Sequence, residues 1–248
     1  MLKTFRIGGV HPPENKLSAS EPIKILPVPE QVIIPLGQHI GAPATPVVQK
    51  GDTVKAGQLI AGATGFVSAN IHSSVSGTVV AIDNIIDAAG FSKPAITIKV
   101  EGDEWLAEID RNDKIESIPD LTKEDIVKAI AAAGIVGMGG ATFPTQVKLT
   151  PPPGSKAEFL IINGVECEPY ITSDYRLMME HADEILVGLD LLMKAAKVDK
   201  GYIGIEDNKP ECIKKLKKMV EDIPRIEVAE LMTKYPQGGE RFLIKAVT

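Results

Sequence analysis

Only two cysteines occur in the 248 residues, Cys167 and Cys212, and they stand far apart. No secretion signal precedes them, so a disulfide framework is excluded and a reducing compartment is expected. Long apolar runs are missing too. A membrane helix needs about 20 consecutive apolar residues. The nearest candidate, AIAAAGIVGMGGA at 129–141, is short and interrupted by glycine, so a soluble chain without direct membrane insertion is expected. Nothing forms a basic stripe. The net charge is −6, and KKLKK at 214–218 reads as one solvated helix face, which excludes nucleic acid as a partner. The four histidines are scattered, with no cysteine or acid at metal-ligand spacing, and no metal is assigned. His11, between Val10 and Pro12-Pro13, reads as fixing a turn.

What the sequence does carry divides near residue 120. Residues 1–120 are rich in Pro and Gly, with short β-branched runs: VIIPL, LIAGA, GTVVAI and AITIKV. These predict small strands joined by tight turns. VVQKGDTVKAGQLIAGATG (47–65) followed by NIHSSVSGTVVAI (70–82) resembles half of a biotinyl/lipoyl-carrier sandwich and its closing strands. Gly51-Asp52 and Gly57-Gln58 mark its turns, and Gly77 begins the return strand. Carrier domains hold a modifiable lysine at the hairpin tip. Here the tip falls at 66–70, and no lysine occurs between Lys55 and Lys93. The expectation is a structural barrel-sandwich hybrid without a covalent cofactor.

Residues 121–248 change rhythm. Thr122 and Asp125 make a capping box ahead of an Ala/Ile-rich helix over 123–133, which Gly134 ends. EFLIING (158–164), YIGIED (202–207) and IEVAEL (226–231) predict strands. DYRLMMEHADEILVGLDLLMKAAK (174–197) predicts one helix with Leu177, Ile185, Leu189, Leu192 and Ala196 on its core-facing stripe. CIKKLKKMVEDI predicts a second helix. Strand–helix–strand–helix–strand predicts a Rossmann-like domain, a parallel sheet with right-handed crossovers and both faces covered. The fold class expected for the whole chain is therefore α+β to α/β.

Ligands of such sheets bind beyond the carboxyl ends of the strands. Those ends deliver Asn163 to Glu168, Glu206 to Asn208, and Tyr235 to Glu240. Gly238-Gly239 opens into the apolar RFLIKAV, which places a helix N-terminus and its positive potential nearby. Upstream, GIVGMGGATFPTQVK (134–148) supplies Gly137, Gly139 and Gly140, whose backbone is free to take positive φ around a phosphate, and Lys148 as a cation. The loop is neither a P-loop, lacking Gly-Lys-Ser/Thr, nor a dinucleotide fingerprint, lacking a strand that leads into it. It is expected to fold over the same strand edge. Plainer readings stand beside this one. The glycines also suit a turn closing a helix, Phe143 and Tyr235 suit a core, Cys167 suits a small buried side chain. Glu166 and Glu168 equally suit solvated acids or a helix N-terminal charge pair.

GMGGATFPTQVK followed by NGVECEP resembles the flavin-binding signature of the 51-kDa, NADH-oxidising subunit family of respiratory complex I. FRIGGVHPPENK (5–16) and YPQGGERFLIKA (235–246) are similar instead to the C subunit of the Rnf complex, which passes electrons between ferredoxin and NAD. The likeness implies FMN and NAD(H) as cofactors of a flavoprotein oxidoreductase and translocase subunit. Gly137, Gly139, Gly140 and Lys148 would hold the phosphate and ribityl region of FMN. Asn163, Glu166 and Glu168 would line the isoalloxazine, with Glu168 near an incoming nicotinamide. Phe143 would stack on a nucleotide ring, and Tyr235, Gly238, Gly239 and Glu240 would close the far wall. No residue is given a catalytic role. Four positions depart from the signature: Met138 replaces Arg, Thr142 and Gln146 replace glycines, and Val165 replaces an Asp beside the flavin.

Rnf C subunits also carry two [4Fe–4S] clusters, each needing four thiolates. Two cysteines cannot supply one, and the chain stops at Thr248 inside an apolar helical segment. The expectation is the N-terminal portion of a longer protein, inactive alone, with the clusters in the missing region. The implied setting is peripheral, on the cytoplasmic side of the inner membrane, with other subunits and ferredoxin-type carriers as partners. Two alternatives remain. One is a related flavoprotein reductase, such as a cobalamin reductase or a proline-reductase-associated carrier. The other is a non-catalytic docking module.

Overall fold

The computed structural model describes residues 2–112, 115 and 120–248. By packing, they form two units: Leu26–Gly154, and Ser155–Thr248 joined by the N-terminal segment as far as Ile25. The change of sequence rhythm near residue 120 and this division by packing fall at different places. The helix and loop after residue 120 are bonded to Ser68 and Asn70, in the segment between two strands of the first unit, and stay with that unit.

Among the described residues that unit holds seven strands: β1 (Gln31–Pro35), β2 (Thr45–Pro46), β3 (Thr53–Val54), β4 (Leu59–Gly62), β5 (Ile71–His72), β6 (Gly77–Ile86) and β7 (Ser92–Val100). They form two antiparallel sheets, ordered β1-β7-β6-β3 and β2-β4-β5. Val54, Ile60, Val79, Ile96 and Ile98 are fully buried in its core. Each such side chain contributes about 1.5–3 kcal/mol on leaving water. The turns fall where the sequence places them. Gly51 and Gly57 take positive φ, and Asp52 and Gln58 close their turns by accepting from the N–H groups of Gln49 and Lys55. Two helices follow, α1 (Lys123–Ala132) and α2 (Thr145–Lys148). The capping box of α1 is formed by Thr122 and Asp125.

The second unit is β8 (Leu160–Asn163), α3 (Ser173–Glu180), α4 (Ala182–Ala196), β9 (Gly201–Glu206), α5 (Pro210–Met219), β10 (Ile226–Leu231) and α6 (Glu240–Val247). Its sheet is parallel, ordered β10-β9-β8. Alternate residues face opposite sides. Ile162, Ile203, Ile205 and Val228 pack with Leu189, Met193 and Leu216 of α4 and α5. Ile161, Tyr202, Ala229 and Leu231 pack with Leu243 and Val247 of α6. Both faces are therefore covered.

The single helix expected over 174–197 does not form. His181 leaves helical geometry (φ −127°, ψ 37°) and separates α3 from α4. The break turns α3 relative to one continuous stripe, so Met178 is buried and Leu177 stays exposed.

Candidate functional site

The parallel strands end side by side, and the segments that follow surround a cavity of about 110 Å³. Glu166 and Cys167 follow β8, Asn208 follows β9, and Thr233 to Tyr235 follow β10. His11, Glu14 and Lys16 of the N-terminal segment complete the lining. That segment is paired to the β10 edge. Lys3 N–H donates to Glu230 O at 3.1 Å, and Val10 and Tyr235 exchange backbone bonds of 2.9 and 2.8 Å. His11 Nδ1 lies 3.1 Å from Thr233 O.

Buried charges back the cavity. Glu206 is 0% exposed, Lys209 4% and Glu166 5%. Lys209 Nζ lies 3.3 Å from Glu206 Oε2 and 3.0 Å from Asn208 Oδ1, while Asn208 Nδ2 donates to Glu14 Oε2 at 2.9 Å. Burial pushes the Glu206 carboxyl above its ordinary range, and Lys209 pulls it back. Burial, and then the charge of Glu166, raise Asp174 in the same way.

Glu166 turns its carboxylate toward α3. It accepts from Asp174 N–H at 2.6 Å and Tyr175 N–H at 3.1 Å. An anionic acceptor there satisfies orphan donors and meets the positive end of the helix. The side chain of Thr172, the residue in the cap position, makes no such bond. Of the readings open in the sequence, a helix N-terminal charge describes Glu166. Glu168 is exposed, and its carboxylate makes no hydrogen bond or ion pair among the described residues.

Asn163 ties the end of β8 to the turn that leads into α6. Its Nδ2 donates to Gly238 O at 2.8 Å, and its Oδ1 accepts from Val165 N–H at 3.2 Å. A Cβ on Gly238 would lie 2.9 Å from Val165 O, so glycine is required for this approach. Gly238 N–H points at Cys167 Sγ, 3.4 Å away. Burial raises the pKa of that half-buried thiol, which keeps it protonated and a poor nucleophile at neutral pH. Gly239 caps α6, whose first residue, Glu240, is exposed. Tyr235 is 39% exposed and so is not a core aromatic. The structure thus brings Asn163, Glu166, Tyr235 and Gly238 to one strand edge, with Glu168 in the loop after β8 and Gly239 and Glu240 at the start of α6.

Gly137, Gly139, Gly140, Phe143 and Lys148 belong to the other unit and form a closed loop of their own. Gly137 N–H donates to Phe143 O at 2.9 Å, and Val136 bridges Pro144. The expected positive φ at the glycines is corrected here. None of these three adopts it, whereas Thr142 does (φ +48°). A Cβ on Gly139 or Gly140 would meet nothing within 4 Å, so bare backbone faces open space, and one on Gly137 would lie 3.5 Å from Lys148 Nζ. Lys148 is exposed and makes no hydrogen bond or ion pair among the described residues. Phe143 is half-buried.

The sandwich tip mounts this loop. Gln146 Nε2 donates to Ser68 O at 2.8 Å, and Asn70 Nδ2 donates to Ala132 O at 3.2 Å. Gly134 ends α1 at φ +66°, where a Cβ would lie 2.1 Å from Asn70 O. The sequence did not single out Glu14, Lys16 or Lys209. The first two lie inside FRIGGVHPPENK, whose Pro-rich polar character was the available signal.

The profile of the Nuo51 FMN-binding domain matches residues 130–248, and that of the RnfC barrel sandwich hybrid domain matches residues 3–103. The C subunit of the proton-translocating ferredoxin:NAD(+) oxidoreductase complex of Clostridium ljungdahlii is 51% identical over 253 residues, covering 100% of this chain and 54% of that protein. The C subunit of the Na(+)-translocating ferredoxin:NAD(+) oxidoreductase complex of Acetobacterium woodii is 47% identical, covering 99% and 55%. The chain spans about half the length of these curated relatives. Among solved structures, an NAD+-reducing [NiFe]-hydrogenase in the air-oxidized state gives a TM-score of 0.48 at 27% identity, covering 50% of this chain and 23% of that one.

Proposed function

We propose, given that this chain is homologous over its whole length to Rnf-complex C subunits, that it is the flavin- and NADH-binding part of such a complex. The complex would be a membrane-associated ferredoxin:NAD electron-transport assembly coupled to ion translocation. One observation carries the reading. Within the span matched by an FMN-binding domain, three parallel strands deliver polar side chains to one carboxyl edge.

The residues fit FMN. Bare backbone at Gly139 and Gly140 and Lys148, which has no partner among the described residues, suit a phosphate, and we assign Gly137, Gly139, Gly140 and Lys148 to the phosphate and ribityl region. Asn163 and the exposed Glu168 suit the isoalloxazine, Phe143 a nucleotide ring, and Tyr235, Gly238, Gly239 and Glu240 the far wall. Glu166 contributes at one remove, by fixing the loop after β8 to α3. Bound FMN supplies exchange between a nicotinamide's electron pair and single electrons; the protein binds, orients and excludes water.

NAD(H) as the second ligand, two [4Fe–4S] clusters held outside this chain, and contacts with other subunits and ferredoxin-type carriers complete the reading. So does a peripheral place on the cytoplasmic face of the inner membrane. Among the described residues no helix is long and apolar enough to cross a membrane. The test is flavin binding by the purified chain and by a version extended to the relatives' length, followed by bleaching with NADH. If both come away without flavin once excess FMN is removed, the reading is wrong and the docking module takes its place.

A further inference from the structure

The ammonium of Lys16 donates to three backbone carbonyls of one loop: Glu166 O at 2.8 Å, Glu168 O at 2.8 Å and Ile171 O at 2.7 Å. An ammonium has three donors, and all three are placed. The loop so gripped follows β8 and carries Glu166, Cys167 and Glu168 to the strand edge. Its backbone is not at rest in ordinary geometry, because Tyr170 takes φ +70°. A non-glycine residue persists there only where its surroundings over-determine it. The same N-terminal segment supplies those surroundings. Tyr170 N–H donates to Glu14 O at 2.9 Å, and Ser18 Oγ lies 2.8 Å from Thr172 Oγ1.

Glu166 is held at both of its ends by this arrangement. Its carbonyl accepts from Lys16, and its carboxylate accepts from the first turn of α3. We propose that Lys16 is a positioning residue: it fixes the loop 166–171, and through that loop the ring-side wall that Glu168 gives to the flavin site. The second half of this statement rests on the flavin reading. The first half rests only on the three bonds and the strained turn they enclose. Methionine in place of Lys16 keeps much of the side-chain volume and removes every donor. Three carbonyls then lose a charged partner at once, and Tyr170 loses part of what holds it at positive φ.

The chain carries its own reporter. Cys167 is half-buried in the gripped loop, while Cys212 is fully buried in the core of the same unit, where burial pushes its thiol up to about 11. Purified wild type, Lys16→Met and Lys16→Arg are treated with an aromatic disulfide reagent, and labelling at each cysteine is resolved by peptide mass. Lys16→Met should label Cys167 at least about tenfold faster with Cys212 unchanged, the factor expected from losing hydrogen bonds to a charged group. Lys16→Arg should restore part of the slow rate. FMN and riboflavin, titrated separately, should both weaken by the same factor in Lys16→Met, and the visible band of bound flavin should shift.

An unchanged Cys167 rate overturns the proposal. So does a parallel rise at Cys167 and Cys212, which would make Lys16 a general support of the fold. A loosened loop with unaltered flavin affinity overturns the link to the site. If neither the wild type nor its version extended to the relatives' length binds either flavin, the flavin reading fails, and the cysteine rates still decide whether Lys16 positions the loop.

Discussion

Removing the ammonium of Lys209 puts the buried charges behind the cavity to a quantitative test. In Lys209→Met the Glu206 carboxylate remains fully buried and keeps one weak donor, Lys234 N–H at 3.4 Å. Taking one partner from a buried pair costs about 3–5 kcal/mol, because the other charge is left uncompensated. The charge of Lys16 also favours ionised Glu206, so the low end, about 3 kcal/mol at pH 7, is expected. The carboxyl can escape this cost by taking up a proton. Its pKa is already raised in the wild type, and without Lys209 it rises further above its unfolded value of about 4.3. A carboxyl raised on folding binds more protons in the native state than in the unfolded one. The defect is therefore complete above the folded-state pKa and fades as pH falls toward the unfolded value. Glu206→Gln combined with Lys209→Met removes both charges and should recover at least half of the loss. Urea unfolding followed by far-UV circular dichroism between pH 5 and pH 8 measures each variant. Fluorescence of Trp105, the only tryptophan and a member of the other unit, serves as an internal control. A loss that does not change with pH, or a double variant no better than the single one, would refute the argument.

Lys148→Ala should weaken FMN by about tenfold, the lower end for an exposed charged donor, and leave riboflavin unaffected, whereas Asn163→Ala should weaken both. Fluorescence-quenching titrations check this, and equal losses for the two flavins in Lys148→Ala would show the phosphate assignment to be wrong. Gly134→Ala forces a side chain into a left-handed backbone and onto Asn70 O, and should cost more than about 2 kcal/mol. An unchanged urea midpoint by Trp105 fluorescence would count against it. Burial lowers the pKa of His72 below the usual 6.5, so the unfolded chain takes its proton more readily. The sandwich should keep its full stability above that pH and lose some as pH falls below it, and His72→Gln should flatten the dependence in thermal melts.

Much of the fold is legible because its signals are local. The capping box, the glycine that ends α1, the turn at Gly51-Asp52 and the limits of β10 are each written within a few residues. The topology in turn points to the strand edge where Asn163, Tyr235 and Gly238 gather. What sequence reasoning misses depends on contacts across the chain. The grip of Lys16 on the loop at 166–171 spans some 150 positions; FRIGGVHPPENK marks the segment but not the loop it holds. The break at His181 is similar. The apolar spacing over 174–197 suits a single helix, while the docking of α3 under Glu166 and the burial of Met178 demand two. Glu166 itself shows how type and place can be read while direction cannot. An acid at the end of β8 is visible in NGVECEP, but its turn toward α3 follows only from where α3 starts.

The sandwich tip shows what becomes of a carrier hairpin without its lysine. A carrier needs a tip that stands clear, since the modified side chain must travel between sites. Here the corresponding residues are engaged on several sides. Asn70 accepts from Ala63 N–H at 3.0 Å and donates to the end of α1, and Ser68 O accepts from Gln146. Ser68 Oγ donates to Ala42 O at 2.8 Å, and Ala69 N–H lies 3.1 Å from His39 Nε2. Since Gly137 to Lys148 follow α1 directly, fixing its end also fixes the entry of the glycine loop. Gln146, which stands where the complex I signature has glycine, supplies one of these bonds from α2. Glycine at that position would cut the link between loop and tip, so this departure from the signature joins the tip to the loop assigned to the phosphate.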